Sequence, residues 1–244
     1  MRTGNPALNA KTFEQFGPGA AAGARMSIEG TVHRTAFLLL LTFATATWTW
    51  IEAFIGSPTT GYLLVGCIGG FVVGLITIFK PTLAPVSAPI YALLEGLALG
   101  AISAYFEARY PGIVVPAVAL TFGTLAALLF VYRTGVISVT ENFKLGVCAA
   151  TGGIAVFYLV AIGLSFFGVR IAFLHEGSLL GIGFSLFVIV IAALNLVLDF
   201  DFIEKGAEQG APKFMEWYAA FGLLVTLIWL YLEILRLLAK LRSR

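Results

Sequence analysis

Seven apolar stretches occupy this chain between Ala36 and Leu238, and each approaches the length a helix needs to cross a bilayer. About 20 residues at 1.5 Å per residue cover about 30 Å of hydrocarbon. The stretches read Ala36–Ile55, Thr60–Phe79, Pro89–Tyr105, Ile113–Tyr132, Leu145–Phe167, Ser178–Leu198 and Met215–Leu238. Only 11% of the residues are charged, against about a quarter in a soluble domain. The expected fold is therefore an all-α integral membrane protein, a seven-transmembrane-helix bundle. In 244 residues there is no room for a separate soluble domain. The expected organisation is a flexible polar N-terminal segment, residues 1–33, followed by one transmembrane domain, residues 34–244.

The N-terminal segment is Gly/Ala-rich and weakly patterned. A secretory signal needs an apolar core directly after a basic start and a small-residue cleavage site. Here the first apolar run begins late and is long enough to span, so no cleavage is expected. The net charge of +2 and the lack of basic stretches interleaved with aromatics argue against a nucleic-acid partner. Cys67 and Cys148 both fall inside apolar spans and read as small buried hydrophobes, not as a disulfide or metal site.

Lysines and arginines between the spans give an orientation. Arg2, Lys11, Arg25, Arg34, Lys80, Arg133, Lys144, Lys205 and Lys213 fall on the N-terminal side, against Arg109 and Arg170 opposite. That asymmetry places the N-terminus in the cytoplasm. Arg236, Lys240, Arg242 and Arg244 disagree, because seven spans put the tail outside. Either the tail is a tolerated exception or one segment is re-entrant; seven true spans are the reading taken here. The absence of an organelle signal fits a bacterial inner membrane.

Packing signals are also legible. Gly66, Gly70 and Gly74 repeat every four residues along the second span, and Gly96 and Gly100 do so in the third. Such spacing makes a flat face on which another helix can approach closely. Gly152, Gly153 and Gly163 are expected to loosen the fifth span, and Pro81, Pro85 and Pro89 to break the chain between the second and third. Trp48, Trp50, Trp217 and Tyr218 lie near span ends, where amphipathic rings prefer the headgroup region. No internal repeat of the kind that builds inverted-repeat transporters is evident.

Few ionisable groups interrupt the spans: Glu52, Glu95, Asp199, Asp201 and Glu233. A charge at mid-bilayer costs about 2.5–3.5 kcal/mol on insertion scales, so such groups usually face an interior or a water-filled cavity. Asp199 ends the sixth span on the cytoplasmic side, and Glu95 lies about two turns into the third span from that side. Both fall near one level, with Asn195 one turn before Asp199 as a neutral oxygen ligand. Two close carboxylates in a poorly solvated place share a proton, which makes a pH-sensitive cation site. Glu233 comes about 27 Å along the seventh span and belongs, with Glu52, to the far side; Arg236 at i+3 can pair with it. Asp201 opens the hydrophilic stretch DFDFIEKGAEQGAPK and reads as solvated.

Other chemistries fit poorly. His33 and His175 both lie in flanking segments, so a histidine metal site is not expected. There is no GxSxG elbow, and Ser165 has no basic neighbour to activate it. The seventh span has no mid-membrane lysine, since Lys240 lies beyond it. The chain does not read as an enzyme and calls for no resident cofactor. Calcium, a hard cation that takes carboxylate, carbonyl and water oxygens, fits the remaining ligand set, with Asp199 and Glu95 as its candidate ligands.

Three motifs resemble the Bax inhibitor-1 superfamily, especially its bacterial members. They are ALLEGLALGAIS around Glu95, Gly96 and Gly100; NLVLDFDFIE ending the sixth span; and the closing LYLEILRLL. The resemblance covers roughly residues 33–240. It implies a bundle with the seventh helix central, and a pH-sensitive calcium leak whose latch is a pair of aspartates in the sixth and seventh helices. Asp199 matches the sixth-helix aspartate. Aligning LYLE puts Glu233 in the seventh-helix place, whereas aligning LRLL puts Thr226 there, which would make Glu95 the partner of Asp199. Two other functions remain open: a regulator that restrains another membrane protein, such as a quality-control protease, and a proton-coupled transporter using the same acids.

Overall fold

The structure, a computed structural model, describes residues 25–137, 139–168 and 177–243. Residues 1–24, including Arg2 and Lys11, and also Arg170, His175 and Arg244, lie outside the described residues. Among the described residues seven helices are long and apolar enough to cross a membrane. They are α1 (Ile28–Phe54), α2 (Thr60–Phe79), α3 (Ala84–Arg109), α4 (Val114–Arg133), α5 (Glu141–Phe166), α6 (Leu179–Glu208) and α7 (Met215–Arg242). The seventh is the most buried: 67% of its most apolar window is inside the protein, against 11% for α4 and for α5.

Several helix ends depart from the sequence reading. The α1 helix starts at Ile28, so residues 28–33 are helix and not part of a flexible segment. Ser27 caps it by accepting a hydrogen bond from the Gly30 N–H, and Glu29 adds an acidic residue in the first turn. Hydropathy misses this turn because capping residues are polar. The prolines do not all break the chain. Pro81 opens a short 3-10 turn, but Pro85 sits in the first turn of α3 and Pro89 inside it. A first-turn N–H has no helical partner to lose, and Pro89 gives up a single bond. Gly152, Gly153 and Gly163 do not interrupt α5, which is continuous.

The largest correction is in α6. It runs ten residues past Leu198, through the stretch read as hydrophilic, to Glu208. Phe200, Phe202 and Ile203 keep a buried apolar face there. The stop signal lies further on: Gly210 takes φ +64, the Ala211 N–H bonds the Gly206 carbonyl, and the Gly210 N–H bonds that of Ala207. This is a Schellman ending, with glycine at the one left-handed position. Asp199 is therefore about 13 Å before the end of its helix instead of at its mouth.

The chain divides into two compact units. The described part of the first comprises residues 25–111 and 201–225, and that of the second residues 112–200 and 226–243. Both α6 and α7 give one end to each unit. In the first unit α2 packs on α3 through Gly66, Gly70 and Gly74, all buried. A Cβ on Gly66 would lie 2.6 Å from the Leu94 carbonyl oxygen, and one on Gly70 2.7 Å from a Glu95 carboxylate oxygen. Gly96 and Gly100 meet the other neighbour: a Cβ on either would overlap the α1 backbone at Thr42 or Ala46. A stripe of buried threonines on α1, Thr31, Thr35, Thr42 and Thr49, faces inward, and the Thr42 hydroxyl lies 3.2 Å from the Ala92 carbonyl of α3.

In the second unit α4 buries only Ala117 and Thr121. Its apolar cluster is Ile154 of α5 with Val188 and Ile191 of α6, flanked by Ala150, Tyr158, Phe184, Leu194 and Trp229. Cys67 is exposed and Cys148 half-buried, both as free thiols, so neither is the buried core residue expected. Lipid is as apolar as a protein core, so hydropathy cannot tell which way an apolar residue faces.

Candidate functional site

Asp199 is fully buried in α6, and Asn195, one turn earlier on the same helix face, is 1% exposed. The Asn195 amide nitrogen donates to the Thr151 hydroxyl of α5 and to the Ile191 carbonyl, both at 2.8 Å. These two bonds orient the amide, and its Oδ1 is left buried with no hydrogen bond among the described residues. Thr226 of α7 is also buried. Its level follows from register. Tyr158 bonds Glu233, and Ile154 shares one cluster with Trp229, so α5 and α7 run at a constant offset. One turn further back, Thr226 comes level with Thr151 and hence with Asn195. Glu233 lies two turns away.

Asp201 is buried rather than solvated, at 7% exposure. The continuing helix carries it inward, and Lys205 at i+4 lies 2.6 Å from its carboxylate. Glu95 is half-buried; it lies over Gly70 of α2, one turn after the buried Tyr91 on its own helix. It belongs to the first unit and Asp199 to the second. Among the described residues no group of three or more His, Cys, Asp or Glu side chains gathers as a metal site would require.

Glu233 is 1% exposed. Its Oε2 accepts from the Arg236 guanidinium at 2.5 Å and from the Tyr158 hydroxyl at 3.1 Å. The pairing with Arg236 is the one its i+3 spacing suggests. Its Oε1 is buried without a hydrogen bond among the described residues. Two turns on, Lys240 is also buried, its amine donating to the Gly181 carbonyl and the Ser185 hydroxyl. Of the apparent C-terminal basic cluster, Lys240 is thus enclosed and Arg236 is paired with Glu233.

Glu216 carries no sequence signal as a site, yet it is fully buried. One oxygen accepts from the Ser27 N–H and the Ser27 hydroxyl at 2.9 Å each, and the other pairs with Arg34 at 2.6 Å. Arg34 also stacks over Trp217. Near the start of α7, Glu216 thereby holds the N-terminal cap of α1. The only clue in the sequence is an acidic residue in a first helical turn, which is too common to point to a site.

A family model described as Bax inhibitor 1 like matches residues 5–243. The chain belongs to the Bax inhibitor 1 like family. Comparisons with curated proteins and with solved structures gave no match. Membership in the Bax inhibitor 1 like family, together with the seven apolar helices, makes this a multi-pass integral membrane protein. Of the motifs that carried the resemblance, NLVLDFDFIE sits wholly inside α6, and ALLEGLALGAIS is the part of α3 that packs on α1 and α2.

Proposed function

We propose that this Bax inhibitor 1 like protein is a non-enzymatic channel that lets calcium pass down its gradient, controlled by protonation around Asp199. The observation that carries the reading is the placement of Asp199, a fully buried carboxylate inside a continuous apolar helix, one turn from an amide oxygen that has no hydrogen bond among the described residues. A carboxylate at membrane depth is costly and is typically retained along an ion or proton path. Carboxylate and amide oxygens suit a hard cation, and here calcium is cargo, not a resident cofactor. An ionised Asp199 holds the closed state through its polar contacts. Protonation removes the charge, weakens those contacts and shifts the population toward the open state. The register of α5 and α7 favours Thr226 over Glu233 as the seventh-helix residue at this level. The reading also agrees with what the superfamily resemblance implies.

The N-terminus is assigned to the cytoplasm and the protein to a bacterial inner membrane. The tail that contradicts this orientation loses weight once Arg236 is paired and Lys240 buried. Calcium entry into liposomes holding the purified protein, followed between about pH 6 and pH 8, tests the function. The expected outcome is a leak that rises as pH falls, with a pH response lost in Asp199→Asn. If Asp199→Asn keeps both leak and pH response, gating at this residue is wrong. If folded wild-type protein passes no calcium at any pH, the regulator of another membrane protein becomes the better reading.

A further inference from the structure

The second unit holds polar and apolar groups in layers along the helix axes. At one level are Thr151 and Asn195, with Thr226 in register. One turn on come Ile154 and Ile191, with Val188 a further turn along α6 and Trp229 packed against the cluster. Another turn on lie Tyr158 and Glu233, joined at 3.1 Å, with Arg236 on the same carboxylate oxygen. Val188 is fully buried, Ile154 5% exposed and Ile191 8%. Each flanking polar layer contains one buried oxygen with no hydrogen bond among the described residues: Asn195 Oδ1 on one side and Glu233 Oε1 on the other.

A buried acceptor without a donor is costly, because it loses its water and gains no replacement bond. Two of them, at the two ends of a predominantly apolar cluster, are better matched to something that visits both than to packing alone. Both are oxygens with no proton to donate, so the visitor must be a cation or a hydrogen-bond donor such as water. Apolar layers of this kind block ions by excluding water and pass them once wetted.

We propose that Ile154, Val188, Ile191 and Trp229 form a hydrophobic gate, and that Glu233 is a second cation station beyond it, opposite the station at Asn195 and Asp199. The inference rests on the calcium-leak reading and adds to it where the barrier stands. Arg236 occupies only one oxygen of Glu233, and its side chain is 38% exposed, so it can swing outward as a cation arrives. Lys240, two turns on, donates to the Gly181 carbonyl and the Ser185 hydroxyl.

The test is calcium entry into liposomes at neutral pH with Val188→Thr, which preserves side-chain shape while making the layer wettable. Ile154→Thr and Ile191→Thr repeat it from the two facing helices should one variant fail to fold. Val156→Thr and Val190→Thr, on the same helices but 60% and 54% exposed, are the controls. A rise of about tenfold in the layer variants and not in the controls is the expected result. Adding Glu233→Gln to Val188→Thr should then lower entry several-fold. If wild type leaks and the folded layer variants leak no faster, the gate is wrong and the leak reading stands. If wild type is silent at every pH but the layer variants conduct, the gate stands and the pH-controlled leak fails. Silence in all of them overturns both, and an unchanged rate with Glu233→Gln removes the second station.

Discussion

The two units solve the same problem, burying helices beside lipid, in opposite ways. In the first, glycines are contact points: Gly66, Gly70, Gly96 and Gly100 each face a neighbour so near that a Cβ would collide with it. In the second, Gly123, Gly146, Gly152, Gly153, Gly163 and Gly183 have no atom of a neighbouring element within 4 Å of where a Cβ would be. The first is a close-packed scaffold whose helix backbones touch. The second joins its helices by larger side chains and by polar groups with spare acceptors. Close packing resists displacement, since packed cores are not continuously deformable. On the proposed channel reading, opening movements are expected in the second unit, where Asp199, Asn195 and Glu233 lie.

The sharpest way to break that comparison is Gly100→Leu. A side chain there must enter the α1 backbone at Ala46, so a loss of about 3 kcal/mol or more is expected. In practice no folded protein should survive size-exclusion chromatography in detergent. Glu216→Ala comes next. It strands Arg34 and uncaps α1 at Ser27, and removing one partner of a buried pair costs about 3–5 kcal/mol. A melting curve shifted by much less would mean that the ion pair is incidental to the scaffold. The smallest effect is Gly163→Ala in the second unit. Helical alanine is favoured over glycine by roughly 0.5–1 kcal/mol where there is room, so the melting temperature should hold or rise slightly. A clear fall would mean that α5 is packed as tightly as α3 and would erase the contrast.

Much of the fold was legible because membrane insertion depends on length and apolarity, which are properties of single segments. The second helix was read to its ends, and the glycine faces of α2 and α3 were visible as four-residue spacing. Boundaries failed where helices carry polar residues for local reasons, at the Ser27 cap and along the DFDFIEKGAE end of α6. The candidate site was read in part. Asp199 and Asn195 lie on one face of one helix, which spacing alone shows. Asp201 looked wet because its neighbours are charged, yet the continuing helix turns it inward onto Lys205.

The amino-acid sequence by itself determined seven crossings, the helices able to approach closely, and the few acids that could matter, since each depends on residues near one another in the chain. Only the tertiary structure decided which polar groups are buried and at what level they meet. Glu216 and Lys240 look like ordinary helix-end charges until distant partners enclose them. The match of Thr226 with Asn195, and the apolar layer between Asn195 and Glu233, exist only in the register of α5, α6 and α7. Hydropathy cannot supply that register, because a residue facing lipid and one facing another helix meet equally apolar surroundings.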